Sequence, residues 1–159
     1  MLDSEKTKKT SLNLYERPYL GTVGAIALDK NGNLAAATST GGMTNKMTGR
    51  IGDSPIIGSG TYADNDSVAV SCTGTGDIYM RVNAAHEVSA LYKYKTSDVQ
   101  KAAGEAVKEV AALGGSGGII SIDKFGKTGF AWTKDKFGMY HGEARLGVKP
   151  VVYWPLGEK

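Results

Sequence analysis

The sequence predicts an α+β fold. Three observations carry that expectation. Two apolar runs after Gly21 are joined at Asn31-Gly32, a strong hairpin signal. Two consecutive segments between 77 and 113 repeat apolar residues at helical spacing. Further strand-like pieces then follow the Gly114-Gly115 pair. Strands, two helices and strands again suit a layered α+β arrangement; βαβ units would interleave single helices between strands.

The elements follow in order. The first twenty residues, MLDSEKTKKTSLNLYERPYL, are charged and lack an apolar stretch, so 1–21 reads as a flexible linker and 22–159 as the domain. TVGAIALD and NLAAATST flank a turn at Lys30-Asn31-Gly32. Both runs are apolar on both faces, so the sheet they form is expected to be covered on both sides. Residues 41–65 read as glycine-rich loops around a short strand at 56–60, and SVAVSC (67–72) as a buried strand. A first helix is predicted over 77–93, on Ile78, Val82, Ala85, Val88 and Leu91. A second opens with a capping box, Ser97 to Gln100, carries Val99, Ala103, Ala106, Val110 and Leu113, and stops at Gly114-Gly115. Strands are expected at 117–123, 128–133, near 137–141 and at 151–154.

Composition excludes several function classes. A formal charge of +3, evenly spread, argues against a nucleic-acid groove or a polybasic membrane patch. The single cysteine, Cys72, rules out an intrachain disulfide and a cysteine-rich zinc site. With only His86 and His141, a histidine metal site is not expected either. Glycine is the outlier, 22 of 159 residues, about twice its usual share. Clustered glycines point to tight turns and to backbone amides facing a ligand.

Four places could carry chemistry. Thr22 opens a buried strand directly after the linker. A threonine hydroxyl needs a base beside it. Cleavage of the chain before Thr22 would supply one, its own α-amine, which titrates near pH 8. Read from the residues alone, Thr22 is a β-branched strand residue, of the kind strands favour. Thr40 ends the second run, and tight pairing brings its hydroxyl toward Thr22; otherwise it is a polar strand end. Arg50 and Asp53, in GRIGDSP, could hold an α-carboxylate and an α-amine, or form a local ion pair. Thr73-Gly74-Thr75-Gly76 joins a strand to a helix, where backbone N–H groups converge. That junction suits an oxyanion hole or merely caps the helix; it lacks the lysine of a P-loop. His86 reads as a core-edge residue, His141 carries no signal, and Trp132, Trp154 and the tyrosines read as core or interface.

The string from Gly21 to Asp77, with its Gly-Thr pair, STGG, GR-x-GDSP and TGTG in order, resembles the β-subunit of plant-type L-asparaginases, also called isoaspartyl peptidases. LGGSGGIISID (113–123) extends the likeness, which is close over 21–123 and looser beyond. The resemblance implies an N-terminal-nucleophile hydrolase with an αββα sandwich, built jointly by an α- and a β-subunit cut from one precursor at Gly21–Thr22. It implies Thr22 as nucleophile, Thr40 as its orienting partner, Arg50 and Asp53 as holders of the substrate's α-carboxylate and α-amine, Thr73 and Gly74 as the oxyanion hole, and Gly76 as site lining. It further implies β-aspartyl dipeptides and L-asparagine as substrates, an αβ unit that dimerises, and no cofactor here, with a structural sodium ion on the α-subunit. Asp77 departs from the glutamate frequent in close relatives. Two alternatives remain open: a glycosylasparaginase-like branch, and an unprocessed, non-catalytic fragment that needs an α-subunit. No transmembrane run or signal peptide is visible, so the expected location is cytoplasmic.

Overall fold

A computed structural model describes residues 21–133 and 139–153. The linker reading of 1–20, the start of the strand expected near 137–141 and Trp154 lie outside the described residues. Strand β1 (Thr22–Leu28) and strand β2 (Leu34–Thr40) form an antiparallel hairpin. Its turn is built by Asp29, whose carboxylate accepts from the backbone N–H of Asn31 and Asn33, both at 2.8 Å. Gly32 takes φ +86° there, a conformation that suits glycine.

Four further strands make the central sheet, in the order β3 (Thr61–Ala63), β4 (Val68–Gly74), β5 (Gly117–Asp123) and β6 (Thr128–Trp132), all antiparallel. Three α-helices and a short π-helical turn (Tyr92–Thr96) lie between β4 and β5, the α-helices being α1 (Gly76–Val82), α2 (Ala84–Leu91) and α3 (Val99–Ala112). A second hairpin, β7 (His141–Arg145) and β8 (Val148–Tyr153), follows. Helices and antiparallel sheets together make the α+β class expected from the sequence.

Period-2 alternation assigns the two faces of the central sheet. Val68, Val70, Cys72 and Ile119 belong to a buried cluster with Tyr79, Val88, Ala103, Ala106 and Val110 of the helices. Ala69, Ser71 and Thr73 point the other way, toward the β1–β2 hairpin. There Gly24 lies so close to Ser71 that a Cβ on it would collide with the serine side chain. The Thr38 hydroxyl lies 2.6 Å from Ser71 Oγ and donates to the Gly60 carbonyl at 3.1 Å. The layers are therefore hairpin, central sheet, helices. The outer face of the hairpin stays open: Val23 is 73% exposed, and Ala25, Ala27, Ala35 and Ala37 share that face. Coverage on both sides was the expectation; among the described residues only the inner face is packed.

Four local expectations are corrected. The helix read as 77–93 is broken at Asn83, which adopts a left-handed φ of 54°. The break is stabilised from outside, because Ala85 and His86 donate their N–H groups to the carbonyls of Ser59 and Gly58. Residues 56–60 are thus a loop docked on a helix start, and the short strand begins at Thr61. The helix α3 cap is Asp98, which accepts from Lys101 N at 3.1 Å, while Ser97 sits outside with φ 49°. Gln100 instead hydrogen-bonds both the N–H and the carbonyl of Phe130, at 3.0 and 2.9 Å, tying α3 to β6. The final strand starts at Val148, earlier than its apolar residues suggested, because it pairs with β7.

Candidate active site

The register of the first hairpin places Thr40 directly opposite Thr22. Thr22 Oγ donates to Thr40 Oγ at 3.3 Å. Thr40 Oγ in turn donates to the carbonyl oxygen of Gly21 at 3.1 Å and accepts from the Gly42 N–H at 3.0 Å. One hydroxyl thus bridges the Thr22 side chain and the carbonyl immediately before it. The Gly41 carbonyl accepts from Lys46 Nζ at 2.7 Å, which pins the strand end.

Arg50 and Asp53 come from the loop that follows β2. They do not pair in a salt bridge among the described residues; instead both converge on Gly76. A Cβ on Gly76 would lie 2.9 Å from Asp53 Oδ1 and 3.1 Å from Arg50 Nη2. Glycine there keeps open the space between a carboxylate and a guanidinium. Asp53 is 5% exposed and its Oδ2 has no hydrogen-bond partner. Burial raises its carboxyl above the ordinary value, against the smaller opposing pull of Arg50. A buried carboxylate oxygen left unsatisfied is costly, and an incoming ammonium would satisfy it.

Thr22, Thr40, Arg50, Asp53 and Gly74 line one cleft. Thr22 and Thr73 line a second. Gly74, at φ +148°, runs against the Ser116 carbonyl and the Tyr79 ring so closely that no side chain fits. Cross-strand pairing of Thr73 with Gly118 and of Gly74 with Gly117 sets this junction. Every residue singled out in the sequence for the site, from Gly21 to Gly76, therefore gathers at the upper end of the inter-sheet seam. Met139, Tyr140 and His141 also reach it, over a hundred residues from Thr22. No local motif marks them; only the fold of the second hairpin brings them in. His86 lies elsewhere, exposed on α2 and edge-on to Tyr62 with centroids 5.2 Å apart, so it is a surface residue and not one at the core edge.

Residues 2–148 match the model of a family described as asparaginase. The chain belongs to that family. The match runs further into the C-terminal part than the motifs suggested. The chain is 51% identical over 140 residues to the isoaspartyl peptidase of Escherichia coli (strain K12), covering 87% of this chain and 43% of that protein. It is 51% identical over 123 residues to a putative isoaspartyl peptidase/L-asparaginase of Dictyostelium discoideum, covering 77% and 35%. With the isoaspartyl peptidase/L-asparaginase of Homo sapiens it shares 40% over 153 residues, covering 94% and 49%. The chain spans less than half the length of these relatives. Among the described residues no helix is long and apolar enough to cross a membrane, and no three His, Cys, Asp or Glu side chains group as metal ligands.

Proposed function

We propose that this chain is the catalytic half of an N-terminal-nucleophile amide hydrolase that releases L-aspartate from β-aspartyl dipeptides and from L-asparagine. The observation that carries the reading is the hydrogen-bond path from Thr22 Oγ through Thr40 Oγ to the Gly21 carbonyl. Its polarity runs the right way for self-cleavage. As Thr22 Oγ attacks the Gly21 carbonyl carbon, its proton can pass toward Thr40, and the Thr40 proton supports the developing oxyanion. The Gly21–Thr22 C–N bond breaks as the nitrogen takes up the proton that left Oγ, the acyl group moves to Oγ, and water hydrolyses the ester, leaving a carboxylate on Gly21 and a free hydroxyl on Thr22. The freed α-amine of Thr22 is then the base that the hydroxyl lacked.

In turnover, Arg50 holds the substrate's α-carboxylate and Asp53 its α-ammonium. Thr22 Oγ attacks the side-chain carbonyl, with Thr73 and the Gly74 N–H toward its oxygen. The amine departs with the proton that the Thr22 amine removed, leaving a β-aspartyl ester. Water then attacks that ester and frees aspartate and Thr22. The relatives, isoaspartyl peptidases by name, favour the isoaspartyl branch over a glycosylasparaginase-like one.

The partner in this reading is an α-subunit from the same precursor. Its layer would cover Val23, Ala25, Ala27, Ala35 and Ala37 and complete an αββα sandwich; an open apolar sheet face of this kind calls for a partner. The αβ unit would then dimerise. Co-expression with and without that partner, followed by intact mass and ammonia release from L-asparagine, tests the whole reading. Mass beginning at Thr22 together with activity is expected only with the partner; full activity from the uncut chain alone would refute it.

A further inference from the structure

The peptide group between Gly41 and Gly42 has no role in the steps above, yet it touches the reacting hydroxyls. Its N–H donates to Thr40 Oγ at 3.0 Å, and its carbonyl accepts from Lys46 Nζ at 2.7 Å. One planar amide thus carries a hydrogen bond at each end, the Lys46 ammonium at one and the Thr40 hydroxyl at the other. Lys46 is exposed and makes no salt bridge among the described residues. It does not line the cleft of Thr22, Arg50 and Asp53. It borders a neighbouring opening that shares Thr40, Gly42 and Arg50 with that cleft. Its link to the Thr22–Thr40 pair therefore runs through this one amide.

A hydroxyl has one proton and two acceptor sites. At Thr40 the Gly21 carbonyl takes the proton, and the acceptor sites receive Thr22 Oγ and the Gly42 N–H. A backbone N–H only donates, so the Thr40 proton cannot turn toward Gly42. The polarity that self-cleavage requires is held from that side. Once the Gly21–Thr22 bond is cut, the same N–H leaves the Thr40 proton for Thr22 Oγ. The Thr22 proton is then left for its own freed α-amine.

The backbone gives this amide little hold of its own. A peptide plane turns through ψ of the residue before it and φ of the residue after it, and here both are glycines, which restrict those angles least. Gly42 sits at φ +73°. A flip of the plane would aim the carbonyl at Thr40 and take the N–H away. Lys46 opposes that flip. Its ammonium holds the carbonyl, and its stem lies against Gly42, where a Cβ would be 3.2 Å from Lys46 Cδ. Asn45, left-handed at φ 56°, immediately precedes it in the turn that returns the chain to Gly41. We propose that Lys46 is a positioning residue of the reaction: it locks the Gly41–Gly42 amide so that the Gly42 N–H orients Thr40 Oγ. Its charge on the carbonyl also polarises the amide and strengthens the N–H as a donor. The proposal rests on the hydrolase reading above and deepens it.

The test uses the full precursor, assembled with its α-subunit, in two variants. Lys46→Met keeps the stem and removes the ammonium; Lys46→Arg keeps a charged donor. Cleavage at Gly21–Thr22 is followed over time by intact mass. Then kcat and KM for L-asparagine are measured per cleaved chain, so that slow processing does not pass for slow turnover. Lys46→Met should slow cleavage and lower kcat, each by about 10-fold, the scale of one hydrogen bond from a charged donor. KM should stay within about twofold, because Lys46 does not meet the substrate. Lys46→Arg should recover most of both rates. A methionine variant as fast as the wild type, a rise in KM alone, or equal losses in the two variants would overturn the role of Lys46 and leave the hydrolase standing. A wild type that neither cleaves nor releases ammonia would overturn the hydrolase itself, and this role with it.

Discussion

The two faces of the central sheet are built to different standards. On the helix side Val68, Val70, Tyr79, Val88, Val110 and Ile119 are all fully buried, and α3 is stitched to β6 by the Gln100 amide. On the other side the β1–β2 hairpin packs through Gly24 and the Thr38 hydroxyl near the candidate site and through the buried Leu34 near its turn, and its outer face is open. The first region carries the apolar burial, and the candidate site lies in the second. Small residues and hydroxyls let two sheets approach closely while leaving polar atoms free to act, at the cost of apolar burial. Thr22 and Thr40 sit at the end of the region with the weaker packing, where a substrate can reach them.

The largest effect should come from the nucleophile. Thr22→Ala in the assembled, processed enzyme should reduce turnover on the order of 10⁴- to 10⁶-fold, as loss of a nucleophile does; Thr22→Ser should keep part of it. Retained turnover in the alanine variant, read by aspartate release, would move the chemistry out of the hairpin. Thr73→Val comes next. It should lower kcat about 100- to 1000-fold with little change in KM, because an oxyanion donor acts in the transition state; a rise in KM alone would make Thr73 a binding residue. Arg50→Ala should lower kcat/KM about 10- to 150-fold, the value of a hydrogen bond to a charged group of roughly 1.5–3 kcal/mol.

Stability should divide the molecule the other way. Ile119→Ala, in the buried face, should cost about 2–5 kcal/mol in a denaturant titration of the chain. Val23→Ala, on the open face, should stay within about 0.5 kcal/mol. Equal costs at the two sites would show that the outer face is covered in solution. Asp53 offers the smallest and most pointed test. Its carboxyl is raised by burial, so the folded chain holds that proton more tightly than the unfolded chain. Stability therefore falls as pH climbs from the ordinary carboxylate value through the raised one, and the deficit persists at neutral pH. Asp53→Asn should raise Tm at pH 7, by about 2–4 °C for each kcal/mol relieved. The gain should shrink in acid below both values, and binding of the substrate ammonium should weaken. A Tm below wild type at pH 7 would mean that the Asp53 carboxylate supports the loop.

Much of this was legible along the chain. The first hairpin follows from its Asn-Gly turn and apolar runs, because such turns match the twist of the strands they join. Helix α3 follows from its apolar stripe and its glycine stop, with Gly115 N–H returning to the Val110 carbonyl at 3.0 Å. The site residues from Gly21 to Gly76 were readable because they lie in short motifs. The break at Asn83 was not, since it depends on carbonyls of Gly58 and Ser59 that reach the helix only after folding. Asp98 displaced Ser97 as cap for a similar reason: Gln100 is drawn away to β6, so no capping box closes.

By itself the sequence determined the α+β class, the hairpin that carries Thr22, and the identity of the charged pair at Arg50 and Asp53. Those are local properties, set by periodicity, turn chemistry and side-chain type within a few residues. Only the tertiary structure decided that Thr40 Oγ lies between Thr22 and the Gly21 carbonyl, that Arg50 and Asp53 both converge on Gly76, and that Met139, Tyr140 and His141 line an opening on the other side of Thr22. Each of these depends on register and on packing between segments distant in sequence. A one-residue shift in the hairpin would turn Thr40 to the opposite face, and nothing near Met139 in the chain records how the second hairpin lies against β5.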